Sequence, residues 1–203
     1  MRRLTADRFA YWVSVIFNPL FIGIPVMLAV GVAEMGIRWD ATPTVLAAIF
    51  VMCVVPTIYV VALMKMGVFQ NFHVSDRRQR KYLFPVLIAC FAITVFLLWR
   101  DPAIGRLVVA TLAFGLPNIV VIALISLRFK VSLHCAGIGG MLPTVAYPFG
   151  LVGLLVGGAS LILTAWSRVR LREHSLAEVV AGSILGTTAM ACELAAVFGW
   201  PRL

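Results

Sequence analysis

The sequence predicts an all-α integral membrane protein, a bundle of about six to seven transmembrane helices forming a single domain over residues 1–203. Three observations carry this. Apolar residues make up 62% of the chain and mean hydropathy is +1.03. Charged residues make up 12%, about half the roughly 25% of a soluble domain. Several apolar runs exceed the ~18 residues that read as a membrane span. None shows the alternation of a barrel strand, which argues against an outer-membrane barrel.

The first span is expected over Phe9 to Ala33, interrupted by Asn18-Pro19 and Pro25. It is longer than the ~7–15-residue core of a signal peptide, so a retained helix is expected. The second runs from about Pro43 to Gly67, the third from Leu83 to Trp99 and the fourth from Leu107 to Leu127. The glycine-rich region from Cys135 to Trp166 is too long for one span of ~20 residues. It reads as two short helices with a turn near Tyr147-Pro148-Phe149-Gly150. The last span covers His174 to Val197. Gly153/Gly157 and Gly182/Gly186 have the small-xxx-small spacing of closely packed helices.

The polar residues gather in three stretches: Gln70–Tyr82, Arg128–His134 and Ser167–Glu178. Seven spans would bring these three and the N-terminus to one membrane face. Net charge is +9, but it lies in short loops between apolar runs. That implies topology signals and contact with anionic lipid headgroups, with no nucleic-acid partner. Cys53, Cys90, Cys135 and Cys192 lack zinc-site spacing and read as small buried hydrophobes. Neither a metal nor a cofactor is expected.

The third stretch, SRVRLREHSLAE, carries the most specific chemistry. His174 and Glu178 are four apart and would share a helix face. A carboxylate there fixes the imidazole tautomer. Arg168, in the turn leading into that helix, offers a fork of donors to a phosphate or carboxylate. Arg170, Arg172 and Glu173 read as solvated loop charges. In the second stretch, Ser132 could hold an anion at a helix start, His134 could act as a general acid, and Lys130 precedes them. In the first, Arg77, Arg78, Arg80 and Lys81 read mainly as a positive-inside loop from which one or two side chains reach a phosphate.

These stretches resemble the three signature motifs of the type 2 phosphatidic acid phosphatase (PAP2) superfamily of membrane lipid phosphate phosphatases. The third motif, SRxxxxxHxxxD, is matched at Ser167, Arg168 and His174, with Glu178 at the aspartate position. The second, PSGH, reads VSLH and keeps Ser132 and His134, with Leu133 in place of glycine. The first, KxxxxxxRP, has His73 at the lysine position and Arg80 at the arginine, without the proline. The resemblance implies a PAP2-like core over about residues 70–197 and a metal-independent phosphatase acting through a phosphohistidine. His174 would be the nucleophile, Glu178 its orienting partner and His134 the acid for the leaving alcohol. Arg80, Lys130, Ser132 and Arg168 would bind phosphate. The substrate would be a lipid phosphate or diphosphate, isoprenoid or phosphatidate-like.

The departures from the motifs define the alternative, a catalytically inactive relative serving as a lipid-binding or structural subunit. Its partners would be further copies of itself or a membrane complex. Of the 17 Lys and Arg residues, thirteen fall on the motif side and four on the other. The expected setting is a bacterial or archaeal cytoplasmic membrane, and this bias orients the motif face toward the cytoplasm.

Overall fold

The computed structural model describes residues 2–70, 72, 74, 76 and 78–201, with side chains from residue 5 onward. Among these residues the chain is helical, with no strand. The helices are α1 (Arg2–Ile16), α2 (Pro19–Met35), α3 (Thr42–Ile49), α4 (Val55–Lys65), α5 (Arg80–Trp99), α6 (Arg106–Ser126), α7 (Leu133–Arg170) and α8 (Leu176–Phe198). Five stretches are long and apolar enough to cross a membrane: Trp39–Lys65, α5, α6, α7 and α8. The bent pair Thr5–Ile16 and Pro19–Met35 passes the same test of length and hydropathy when its two helices are taken together. The chain is thus an all-α, multi-pass integral membrane protein. It forms two compact units, Met1–Val30 with Val131–Leu203, and Gly31–Lys130.

In the first unit, α7 is broken where the sequence predicts it. Gly150 has φ 51° and ψ −133°, a conformation open to glycine and costly for other residues. The limbs on either side, 133–149 and 151–170, pack against each other through small residues. A methyl on Gly153 would overlap the Val145 carbonyl, and one on Gly157 would lie 3.4 Å from Leu142 Cα. The partner moves backward along the chain as the glycine moves forward, so the limbs run antiparallel. Helix α8 uses its own glycine pair against the first limb. A Cβ on Gly182 would sit 2.6 Å from the Ser132 carbonyl, and one on Gly186 would overlap that of Ala136. Here both partners advance together, so α8 runs parallel to that limb. These two packings bring the start of α7, its end and the start of α8 together.

Helix α1 covers that same end. Phe9 packs at a tilt against Trp166 with ring centroids 5.7 Å apart, and Arg170 Nε meets Asp7 Oδ1 at 2.8 Å. A 56° bend then separates α1 from α2. Its cause is local: Pro19 opens α2, and Asn18 Oδ1 accepts the Leu20 N–H at 3.1 Å. Pro19 occupies the space over Gly137, where a methyl would come within 2.6 Å of its ring.

In the second unit, α3 and α4 run on through a π-helical turn, Phe50–Val54. It lies just before Pro56, whose missing N–H interrupts the ordinary helix ladder. The turn Arg100–Gly105 is closed by Asp101, whose carboxylate accepts the Ala103 N–H at 2.9 Å. Glu34 then caps α6 by accepting the Leu107 N–H at 3.0 Å. The span boundaries differ from expectation by a few residues. Helix α5 begins at Arg80, three residues before the apolar run, and α7 extends to Arg170.

Candidate active site

The second polar stretch becomes a helix start. Ser132 is the N-cap of α7 in extended conformation, and its Oγ accepts the Cys135 N–H at 3.4 Å. This satisfies one of the donors that the first helical turn leaves unpaired. Leu133 is the first helical residue, and no positive φ occurs there. The backbone therefore does not require a glycine at this position. His134 follows, 6% exposed. The Ser132 N–H donates to the Glu178 carbonyl at 3.2 Å, which ties the start of α7 to α8. That bond is available because Gly182 and Gly186 let the two backbones approach.

The third stretch folds differently from expectation. Arg168 is not in a turn but in the last helical turn of α7, and it is 1% exposed. A cation at a helix C-terminus is favoured by the dipole. The chain then reverses through a Schellman cap: Glu173 N–H donates to the Arg168 carbonyl at 3.1 Å and Arg172 N–H to that of Val169 at 3.0 Å. Arg172 takes the left-handed position, φ 57°. The His174 N–H also donates to the Arg168 carbonyl, at 3.2 Å. So the cap sets His174 directly over the end of α7.

Helix α8 begins at Leu176, with Ser175 as N-cap. His174 therefore precedes the helix, a correction to the shared-face reading. Its pairing with Glu178 survives by another route. Ser175 and Glu178 form a capping box, each side chain meeting the other's backbone N–H at 3.3 Å. The same Glu178 Oε2 lies 2.7 Å from His174 Nδ1. A carboxylate only accepts, so Nδ1 carries a proton, and in the neutral imidazole it is Nε2 that has the lone pair. The imidazole is 2% exposed and the carboxylate 19%.

Arg168 is the electrostatic anomaly of the site. Its Nη1 donates to Ser14 Oγ at 2.6 Å. Its Nη2 lies 3.8 Å from Glu173 Oε2, beyond hydrogen-bond reach. Its Nε has no hydrogen-bond partner among the described residues, and neither does the buried Ser167 hydroxyl. A buried guanidinium needs an anion and filled donor positions to offset its desolvation. Here one neutral hydroxyl and one distant carboxylate supply little of that.

The structure thus brings Ser132, His134, Arg168, His174 and Glu178 to one end of the first unit. Arg80 and Lys130 belong to the second unit. Arg80 opens α5, is 2% exposed, and donates from Nε to the Val74 carbonyl at 3.3 Å. Lys130 is half-buried at that unit's end. His73 and Arg77 lie outside the described residues. Arg170, expected as a solvated charge, is exposed and pairs with the exposed Asp7, whereas Glu173 is half-buried with its carboxylate 3.8 Å from Arg168. The residue that sequence reasoning missed is Ser14, which sits in an apolar run with no motif around it. Cys135, buried one position after His134, also gave no signal beyond its hydrophobicity. Among the described residues, no three His, Cys, Asp or Glu side chains gather as a metal site.

The fold and its hydropathy define the class, an all-α multi-pass membrane protein. No protein-family model, no curated protein and no solved structure matches the chain.

Proposed function

We propose that this protein is a metal-independent phosphatase of lipid phosphates or diphosphates, working through a phosphohistidine in the manner of the PAP2 superfamily. The observation that carries the reading is Arg168, a buried cation whose Nε has no hydrogen-bond partner among the described residues, in the same turn system as a histidine held at Nδ1 by Glu178. An oxyanion ligand would fill that position. The partial positive charge at the α7 N-terminus favours the same ligand.

On this reading, His174 Nε2 attacks phosphorus with its lone pair and forms an N–P bond. The P–O bond to the lipid breaks, and the departing oxygen takes a proton from His134. Water then attacks phosphorus, giving its proton to His134. The N–P bond breaks and its electron pair returns to Nε2. Arg168 and Ser132 hold non-bridging oxygens, where charge is stabilised during transfer. The proposal stands on residues of the first unit alone. We also infer that the motif face is cytoplasmic, in a bacterial or archaeal membrane. Leaving out Arg80, Lys130 and Arg168, the candidate phosphate ligands of the sequence motifs, there are still ten Lys and Arg against four.

The test is phosphate release by the purified protein from a panel of isoprenoid and phosphatidate-like phosphates and diphosphates. Turnover abolished by His174→Ala supports the proposal. Turnover that survives this substitution overturns the mechanism, and binding of these lipids without release by the wild type favours a lipid-binding subunit instead.

A further inference from the structure

We propose that Ser14, on the N-terminal helix α1, is a positioning residue that aims Arg168 at the phosphoryl oxygens of the ligand. The proposal rests on the phosphate-site reading above, and it extends the site to a helix outside all three motif stretches.

Ser14 is fully buried, and its Oγ accepts a 2.6 Å hydrogen bond from Arg168 Nη1. Hydroxyls inside helices usually turn back on their own chain, and here Thr57, Thr111, Ser160 and Thr164 each donate to the carbonyl four residues earlier. Ser14 is used differently, as an acceptor for a charged side chain 154 residues away. A guanidinium is planar and rigid, so fixing one nitrogen fixes the direction of the others. With Nη1 held by Ser14, the edge left over is the Nε–Nη2 pair. Those two parallel donors match two oxygens of a phosphate. On that edge Nε lacks a partner among the described residues, and Nη2 has only Glu173 at 3.8 Å.

Helix α1 is itself held in place. Its buried face carries Ala10, Val13 and Ser14, and it is clamped to α7 by the Phe9–Trp166 ring contact and the Asp7–Arg170 pair. Ser14 is therefore presented by a packed element, as a preorganised site requires.

The experiment is titration calorimetry of the full-length protein in detergent with inorganic phosphate, orthovanadate and a short-chain phosphatidate, run beside lipid-phosphate kinetics. Ser14→Ala and Ser14→Val remove the hydroxyl, and Ser14→Thr keeps it in the shape of Val. The expected result is affinity about tenfold weaker for Ala and Val, the order expected for a lost hydrogen bond to a charged group, with Thr restoring it. KM should rise with affinity lost, more than kcat falls. A wild type that binds the oxyanions but hydrolyses no lipid sinks the phosphatase reading while leaving Ser14 to be judged by binding. Phosphatidate binding without inorganic phosphate binding assigns the ligand to the lipid headgroup and supports the proposal if the variants weaken it. Unchanged affinity in both Ala and Val, or a wild type that binds none of the three ligands, overturns it.

Discussion

His174 Nδ1 and Glu178 Oε2 lie 2.7 Å apart across a helix start, with the histidine outside the helix and the glutamate at its third position. The carboxylate does two tasks. It closes the capping box with Ser175, and it holds the imidazole at Nδ1, which on the proposed mechanism leaves Nε2 to attack phosphorus. A glutamate suits this position, because the capping box calls for the longer side chain. Glu178→Ala should therefore cost about 1 kcal/mol of stability as a lost cap and lower turnover roughly a hundredfold or more. Glu178→Asp should fold but lose about tenfold in turnover, because the shorter side chain cannot meet both partners. Thermal unfolding and lipid-phosphate kinetics check both. An aspartate variant as active as wild type would count against the dual role.

Arg168 is expected to act through geometry as well as charge. Arg168→Lys keeps the cation but loses the planar fork. Turnover per substrate encounter should fall about a hundredfold, and added Lys flexibility should not restore it. Measurement of kcat/KM on one lipid phosphate decides this. Equal activity for Lys and Arg would mean that a point charge suffices there.

The glycine pair on α8 sets the distance between Ser132 and Glu178. A methyl at Gly186 would overlap the Ala136 carbonyl, and neither side of that contact is a flexible side chain. Gly186→Ala should destabilise the protein by about 1–3 kcal/mol, as for overpacking. It should also impair catalysis by pushing α7 from α8. Gly158, where an added Cβ meets nothing within 4 Å, serves as the control: Gly158→Ala should leave activity unchanged. Melting temperatures and activities of the two variants, measured together, check the contrast.

Arg172 is exposed and holds a left-handed conformation, φ 57°, in the cap that carries the chain from Arg168 to His174. That conformation costs a non-glycine residue about 1–2 kcal/mol, partly offset for glycine by its freer unfolded chain. Arg172→Gly should raise stability by up to about 1 kcal/mol with turnover unchanged. Arg172→Val should lower both, since a β-branched residue tolerates this backbone least. Parallel unfolding and activity measurements distinguish these outcomes.

Much of this architecture was legible in the sequence for identifiable reasons. Apolar runs longer than a bilayer crossing mark the spans, and Pro148-Phe149-Gly150 marks the break in α7. The spacing of Gly182 and Gly186 marks a close helix contact. The grouping of Ser132, His134, Arg168, His174 and Glu178 was legible from side-counting, since an even number of crossings separates the stretches. What stayed hidden depends on local backbone geometry or on distance along the chain. Counting four residues from His174 to Glu178 suggests a helix face, and only the Ser175 cap moves the histidine outside the helix. The charged run around Arg168 looks like a loop, yet burial draws it into α7. Ser14 was illegible because a serine in an apolar span has no periodic or motif signature. Its role exists only once α1 packs against α7.

The central claim, that His174 is a covalent nucleophile set up by Glu178 and served by Arg168, is tested most directly by trapping the intermediate. The purified protein would be mixed with a lipid phosphate, denatured in alkali during turnover and digested for mass spectrometry. The account predicts a phosphoryl adduct on the peptide containing His174, lost on acid treatment and absent from His174→Ala. Steady phosphate release with no adduct there, or with an adduct on another residue, would contradict it.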